Sequence, residues 1–380
     1  MPESKEMKDM HRSRRVLGLG ALMAAGALAL TSCASTETPD AGGNSEAEVS
    51  EKVTEYGSAL GDITPFCGDK ETKVAFANGT DNAWSQLVFA ELEDEASKCD
   101  NITEVRYVTA QDDQERAIGD MASLTAQGYN VIVTMPTFGE SQLPSIREAT
   151  GAGASVVPFV SNPGGTAGED YVAYADFVRP LNHERQAQWV GEHFPDAKVV
   201  FLGGTPGAQS SLQSFTDIQA ATEEFAPNIT WVEDRVVDTD WDSAKKKQVM
   251  SALLATHGRI DVIFSDYGTT DMGAIDAYLE AGLEPPALVT VASGNGIGCM
   301  WEENNFPYFS IDGDTAVSRL ALRLALADYQ GIENNENPLF ALPVSIDTFD
   351  DMNPKCDPAL PFDASLYSTL DPDVVAEIFS

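Results

Sequence analysis

Short apolar runs alternate along this chain with longer segments that have the apolar spacing of a helix. In residues 85–99, for example, Leu87, Val88, Leu92 and Ala96 fall on one helical face, shortly after an apolar run at 73–77. The first half of the chain predicts strands at 73–77, 104–109, 131–135 and 155–160, and helices at 85–99, 111–126 and 141–152. Strands that alternate with helices of this length predict a parallel sheet covered by helices on both faces.

The alternation resumes after a break near Asp176. The second half predicts helices at 182–194, 211–225, 243–257 and 270–281, and strands at 198–202, 230–237, 262–265 and 287–292. With a further strand that ends near Tyr308, the chain has roughly ten strands, which are too many for one compact sheet of this kind, so we expect two similar α/β lobes. Because ligands bind beyond the carboxyl ends of parallel strands, the strand ends of both lobes can face one cleft.

The chain begins with the features of a bacterial export signal. A basic stretch at 12–15 precedes an apolar run at 16–30, and the run leads into Leu30-Thr31-Ser32-Cys33. This pattern resembles the lipobox of bacterial lipoproteins, so residues 1–33 are predicted to be a signal peptide with lipidation of Cys33. A short membrane anchor and a chance cysteine after an ordinary secretory signal are the alternatives, and the paired arginines also resemble a twin-arginine signal. Residues 34–64 predict a flexible acidic tether.

The charge of the chain limits its partners. The formal net charge is −37 at pH 7, and the acidic residues are spread over the whole sequence. Such a charge repels nucleic acid and anionic lipid headgroups, so neither is expected as a partner. Because 43% of the residues are hydrophobic, the chain can still build apolar cores, and we expect an acidic, solvated surface around folded lobes.

The cysteine count fits an exported protein. If Cys33 carries a lipid, four cysteines remain, and an even number favours two disulfides outside the cytoplasm. Of the three possible connectivities we favour the one in which each bond joins neighbours across one helical unit. These bonds are Cys67–Cys99 and Cys299–Cys356. The spacing does not suit a zinc site, and no cofactor is expected.

Small polar residues follow the predicted strands in both halves. Amide side chains can form paired hydrogen bonds to neighbouring hydroxyls, and an aromatic ring can pack on the apolar face of a sugar. We therefore predict a neutral polyhydroxy ligand, although turn and helix-capping roles explain any one of these loops equally well, and a core position is the alternative for Trp84. The candidate ligand-binding residues are Asn78, Asp81, Asn82, Trp84, Ser161, Asn162, Gln209, Asp266, Tyr267, Ser293 and Asp312.

Signatures of catalysis are weak. The chain contains no G-x-S-x-G, HExxH or GxxxxGK[ST] motif, and the glycines after Leu202 lack the spacing of a dinucleotide loop. Residues 238–242 lack the glycine and the distal glutamate of a calcium loop, so helix capping is favoured there. A secreted hydrolase would need Asp266 or Asp312 beside Ser293. We expect a binding protein instead of an enzyme.

Six stretches of the chain resemble a known family. They are KVAFANGTDNAWSQ from Lys73, TAQDDQERAIGDMASLTAQGYNVIVTMPT from Thr109, VVPFVSN from Val156, VVFLGGTPGAQSS from Val199, DVIFSDYGTTDMGAIDAYLEAG from Asp261 and ALVTVASGNG from Ala287. In this order they resemble periplasmic binding proteins of the ribose/galactose class (type I), and the cysteine pairs with the tail after Cys356 resemble lipid-anchored actinobacterial members. The resemblance implies two Rossmann-like lobes, 65–175 with 313–345 and 176–312 with 346–380, hinged around a ligand cleft.

The same resemblance implies which residues meet the ligand. Asn82 and Trp84 match an asparagine and an aromatic residue of the first loop, and Asn78 lies at a further ligand position. The other ligand positions depart from the ribose pattern, which favours a different sugar, a polyol or another small polar molecule. At these positions Ser161-Asn162 replaces an Asp-Arg pair, Leu212 replaces an arginine with Gln209 nearby, Tyr267 next to Asp266 replaces an asparagine, Ala292-Ser293 replaces a Phe-Asp pair, and Asp312 replaces a glutamine.

Taken with the export signal, these features predict an extracytoplasmic solute-binding lipoprotein. It would capture a sugar or polyol and deliver it to the permease of an ABC importer, acting as a monomer. The alternative is a sensory receptor that presents its ligand to a membrane kinase. A transcription regulator of the same fold is excluded by the export signal and by the absence of a basic DNA-binding segment.

Overall fold

The computed structural model describes residues 61–365 and 368–379, which form two α/β lobes built on mainly parallel sheets. The predicted signal peptide with Cys33, and the predicted tether as far as residue 60, lie outside the described residues. The last residues of that tether belong instead to the N-terminal lobe. The reason is Ile63, whose apolar side chain is fully buried in the core.

Strands and helices alternate through both lobes. The strands are β1 (Thr72–Asn78), β2 (Ile102–Thr109), β3 (Val131–Met135), β4 (Ser155–Pro158), β5 (Asp176–Phe177), β6 (Lys198–Gly203), β7 (Thr230–Trp231), β8 (Val237–Asp238), β9 (Val262–Ser265), β10 (Ala287–Val291), β11 (Tyr308–Ile311), β12 (Leu339–Phe340) and β13 (Val344–Asp347). The helices are α1 (Ala83–Ala96), α2 (Gln114–Ala126), α3 (Leu143–Gly151), α4 (Arg179–His193), α5 (Gln209–Phe225), α6 (Ser243–His257), α7 (Met272–Glu280), α8 (Asn295–Asn304), α9 (Val317–Gln330) and α10 (Pro372–Ile378).

The N-terminal lobe has a four-stranded parallel sheet in the order β2-β1-β3-β4. Helices α1 and α9 cover one face, and α2 and α3 cover the other. Because both faces are covered, the central strands β1 and β3 are almost entirely buried, which is why they read as unbroken apolar runs in the sequence.

The C-terminal lobe has a sheet in the order β13-β11-β10-β9-β6-β7, with β8 also paired to β6. Helices α4 and α5 pack on one face, and α6, α7 and α8 pack on the other. The prediction of one continuous strand at 230–237 is wrong. The structure has two short strands, β7 and β8, because the charged residues Glu233, Asp234 and Arg235 lie in a bend outside the sheet.

Three segments connect the lobes. The chain passes from β4 through β5 into α4, from β11 into α9, and from β12 into β13. Strands β5 and β12 pair in parallel, and the rings of Phe177 and Phe340 meet edge to face at 5.4 Å between centroids. This arrangement places the carboxyl ends of both sheets around the connecting segments.

The tail after β13 contacts both lobes. On the C-terminal lobe, the side-chain amide of Asn295 donates to the carbonyl oxygens of Asp357 and Leu360 at 2.9 and 3.0 Å. Further along, the backbone N–H of Thr369 donates to Glu91 of α1 at 2.7 Å, and α10 packs on α1. The predicted assignment of the whole tail to the C-terminal lobe therefore needs correction, because residues 368–379 lie against the N-terminal lobe.

Both predicted disulfides are present and their pairing is confirmed. Cys67 bonds to Cys99, which lies just beyond α1, and Cys299 of α8 bonds to Cys356 of the tail. The second bond fixes the start of the tail to the C-terminal lobe. Among residues 61–365 and 368–379, no helix is both long enough and apolar enough to cross a bilayer.

Candidate functional site

A cavity lies between the two lobes at the carboxyl ends of their strands. It holds about 740 Å³ of empty space, counting the part that is open to solvent. Its walls come from both lobes and from the segments that connect them. The lining residues are Thr80, Asn82, Trp84, Met135, Val160, Phe177, Arg179, Asn182, His183, Ser210, Ser214, Trp241, Asp266, Tyr267, Val291, Ala292 and Gly313.

The N-terminal lobe contributes Asn82 and Trp84, both of which were predicted. Asn82 is the N-cap of α1, where its Oδ1 accepts from the backbone N–H of Ser85 at 2.9 Å. Trp84 lies in the first turn of α1, and its ring forms part of the cavity wall. Its indole Nε1–H donates to the carbonyl oxygen of Gly313 at 2.7 Å, which fixes the ring against the connection between β11 and α9.

The C-terminal lobe contributes Asp266 and Tyr267, directly after β9. Trp241 Nε1–H donates to Asp266 Oδ1 at 3.0 Å, and the Ser211 hydroxyl donates to Oδ2. Burial raises the pKa of Asp266 against the effect of these donors. Burial also raises the pKa of Tyr267 to about 12, so its hydroxyl stays protonated. Asp266 is thus held in place, and Asp266 and Tyr267 are polar groups of a largely apolar wall.

Trp241 was not predicted as a site residue. Asp242 is the N-cap of α6, as the favoured capping role suggested, and its Oδ1 accepts from the backbone N–H of Lys245 at 2.7 Å. The preceding Trp241 is 9% exposed and faces the cavity. Its ring lies against Gly204, where an added Cβ would be 2.1 Å from the indole. A tryptophan between two aspartates in a predicted turn was the sequence signal that could have identified it.

Arg179 at the start of α4 was also missed. Its Nε–H donates to Asp176 at 2.8 Å, Nη1 donates to Ser214 at 3.2 Å, and Nη2 donates to Asp176 and to the carbonyl oxygen of Val160. Burial works to lower the pKa of Arg179, but Asp176 outweighs it and the pKa is raised. The guanidinium therefore stays charged while it ties the first connecting segment to both lobes.

Asn182 and His183, one turn further along α4, are buried residues of the same wall. The sequence shows them only as polar positions in an amphipathic helix. Their approach to the cavity depends on how the first connecting segment turns into α4, and a one-dimensional pattern does not record that turn.

Three predicted residues near the first loop and the hinge lie away from the cavity lining. Asn78 donates through Nδ2 to Ser85 Oγ at 2.7 Å and so supports the start of α1. Asp81 is exposed and accepts from the Tyr107 hydroxyl at 3.3 Å. Asp312 is buried beside the hinge, where its backbone N–H donates to Pro343 at 3.0 Å.

Three more predicted residues lie behind or at the edge of the cavity. Ser161 is fully buried, and Asn162 caps its own loop by accepting from the backbone N–H of Gly164 at 2.8 Å. The backbone N–H of Gln209 donates to the carbonyl oxygen of Thr137 at 2.8 Å, from one lobe to the other. These positions shape the loops that surround the cavity.

Ser293 is the last predicted residue, and its surroundings bear on the hydrolase alternative. The Tyr308 hydroxyl donates to Ser293 Oγ at 2.8 Å, while Asp266 is held by Ser211 and Trp241. The geometry therefore gives Ser293 a tyrosine partner and engages Asp266 elsewhere. Within the described part of the chain, no group of three or more His, Cys, Asp or Glu side chains is placed to hold a metal ion.

The lobes touch each other around the cavity. Besides the hydrogen bond between Gln209 and Thr137, the backbone N–H of Asn162 donates to Oε1 of Gln213 at 3.4 Å, also from one lobe to the other. On the other side, Trp84 packs against the buried cluster that contains Trp241, Tyr267 and Ala292. The structure is therefore a closed arrangement of the two lobes, in which a small molecule would be enclosed.

Comparisons with known proteins agree with this architecture. A sequence profile described as a periplasmic binding protein domain matches residues 74–331. The ribose import binding protein of Bacillus subtilis is 26% identical over 192 residues, which span 50% of this chain and 60% of that protein. The galactofuranose-binding protein of Escherichia coli is 25% identical over 224 residues, which span 58% of this chain and 69% of that protein. The crystal structure of a Caulobacter myo-inositol binding protein, bound to myo-inositol, has the same fold. The two structures match with a TM-score of 0.66 and 19% sequence identity, and the match covers 74% of this chain and 95% of that chain.

Proposed function

Because the chain belongs to the periplasmic binding protein family, we propose that it captures a sugar or polyol outside the cytoplasm and delivers it to an ABC importer. The observation that carries this proposal is the cavity that both lobes line. Trp84 from one lobe faces the same space as Trp241 and Tyr267 from the other. Aromatic faces with a few fixed polar groups suit the mixed apolar and hydroxyl surface of a sugar.

In the proposed mechanism, the two lobes close around the ligand and so capture it. In the open form the two lobes separate about the three connecting segments, and the cavity becomes a cleft. A ligand that contacts both walls binds the closed form better, and it therefore shifts the population toward that form. The contacts between Gln209 and Thr137 and between Asn162 and Gln213 form only when the lobes meet, so they add to the stability of the closed state. The permease would recognise that state.

We also propose that this protein is anchored outside the cytoplasm. A lipid on Cys33, after removal of the signal peptide 1–33, would tether the lobes to the outer face of the cell membrane through the acidic segment that follows. The two disulfides support an oxidising compartment. A tether of this kind keeps a binding protein at high local concentration beside its permease.

A thermal-shift screen tests the proposal. The purified protein is heated with D-ribose, L-arabinose, D-galactose, D-fructose or myo-inositol, and a ligand that binds only the folded state raises the melting temperature. We expect at least one of these compounds to do so. In Trp84→Ala the shift should be largely lost while the fold remains. Phe349→Ala is the control, because it removes an aromatic ring that is 49% exposed and outside the cavity lining. If all five compounds leave the melting temperature unchanged, the proposed ligand class is wrong.

A further inference from the structure

Two neighbouring side chains of α4 are buried polar groups in the cavity wall. Asn182 is 3% exposed and His183 is 4% exposed, and both line the cavity. Burial removes the solvent that would otherwise hydrogen-bond to them. Each polar atom therefore needs a partner from the protein or from whatever occupies the cavity.

The Asn182 side chain has an acceptor without a partner. Its Oδ1 is buried, and none of the described residues donates a hydrogen bond to it. A buried carbonyl oxygen in this condition is costly and uncommon in folded proteins. Since Asn182 faces the cavity, a donor group on a ligand would satisfy this oxygen.

The hydrogen bonds around His183 define a second acceptor. Its Nδ1 lies 2.8 Å from Oε1 of Gln186, and the amide nitrogen of Gln186 donates to the carbonyl oxygen of Thr290 at 3.0 Å. That second bond orients Oε1 toward the ring, so Nδ1 carries the proton. Burial lowers the pKa of His183 to about 4, assisted by the nearby Arg179 cation, so the ring is neutral at pH 7. The lone pair of Nε2 is therefore an acceptor.

The charges of the cavity wall favour a neutral ligand. Among the described residues that line it, Arg179 is the only lysine or arginine, and Asp176 neutralises it through contacts of 2.8 and 3.1 Å. Asp266 adds a carboxyl group to the same wall, and its oxygens accept from Trp241 and Ser211. A ligand carboxylate or phosphate would therefore meet further acceptors without an unpaired cation to balance its charge.

We infer that Asn182 and His183 are specificity-determining residues that accept hydrogen bonds from two hydroxyls of a neutral sugar or polyol and discriminate against the corresponding sugar acid. This inference rests on the proposed function and adds to it the two acceptors and the exclusion of acidic ligands.

Variants of α4 test the inference by calorimetric titration with whichever of the five neutral compounds binds the wild-type protein. Asn182→Leu keeps the volume but removes the acceptor, and it should weaken binding about tenfold to hundredfold. Its melting temperature without ligand should stay the same or rise, because an unsatisfied buried group has been removed. A purely structural asparagine would instead give a lower melting temperature. Gln188→Leu makes the same change at an exposed position of α4 and should bind as the wild type does.

His183→Phe keeps a ring in the wall without the acceptor and should also weaken binding by at least about tenfold. For the exclusion of acids, D-galacturonate and D-glucuronate are titrated beside D-galactose and D-glucose. Wild-type affinity in Asn182→Leu, or a uronate that binds as tightly as its neutral sugar, would overturn the inference while leaving the proposed function standing. If the wild-type protein binds none of the neutral compounds, both proposals fall.

Discussion

The buried ion pair between Lys246 and Asp271 allows a stability prediction with a defined magnitude. Both side chains are fully buried, and Lys246 Nζ lies 2.5 Å from Asp271 Oδ1, 3.0 Å from Ser265 Oγ and 2.7 Å from the carbonyl oxygen of Tyr267. Lys246→Met would leave the Asp271 carboxylate buried without its cation. Breaking a buried pair in this way costs about 3–5 kcal/mol of unfolding free energy.

Urea unfolding of three variants measures this cost. Lys247→Met, at the next position of α6, removes an ion pair with Glu280 whose side chains are 34% and 65% exposed, and it should cost less than about 1 kcal/mol. The double variant Lys246→Met/Asp271→Asn removes both buried charges and should regain most of the loss. If Lys246→Met and Lys247→Met lower the unfolding free energy equally, the assignment of a buried, charged pair is refuted. Because Lys246 also holds the carbonyl oxygen of Tyr267, we expect its loss to weaken ligand binding as well.

Three further predictions concern the site and the tail. Gly204→Ala should displace Trp241 and lower the ligand affinity measured in a titration, because the new Cβ would lie 2.1 Å from the indole. The control is Gly119→Ala, which adds a Cβ in open space on α2 and should leave stability unchanged or raise it. The pKa of His183 is lowered from 6.5 to about 4, so its contribution to stability is complete above pH 6.5 and is lost as the pH falls toward 4. The difference in unfolding free energy between the wild type and His183→Phe should therefore fall by about 3 kcal/mol as the pH is lowered from 6.5 to 4. A difference that does not change with pH would contradict a buried neutral ring. Thr369→Val removes a hydrogen bond of 2.5 Å to Glu91 and should speed hydrogen exchange in α10, while equal exchange would show that this contact does not hold the tail.

Most of the fold could be predicted from the alternation of apolar runs and helical segments in the sequence. Strands β1 and β3 were recognisable because burial on both faces requires continuous apolar residues. The disulfides followed from their position around single helical units. The division of 230–237 into β7 and β8 was less visible, since a charged bend between two short strands resembles the exposed positions of a single edge strand.

The site was predictable where it directly follows a strand. Asn82, Trp84, Asp266 and Tyr267 all line the cavity, and all come shortly after the end of a strand. Arg179, Asn182 and His183 reach the cavity from a helix instead, and their position depends on the angle at which the connecting segment enters α4. Seven predicted residues support the loops around the cavity without lining it, because small polar residues at strand ends also cap helices and close turns.

A tryptophan-fluorescence titration tests the central claim most directly, because Trp84 and Trp241 line the cavity from opposite lobes. We predict that at least one of D-ribose, L-arabinose, D-galactose, D-fructose and myo-inositol changes the emission in a saturable manner with one ligand per chain. The change should be largely lost in Trp84→Phe/Trp241→Phe. No change with any of these compounds, or an undiminished change in the double variant, would contradict capture of a sugar or polyol between the lobes.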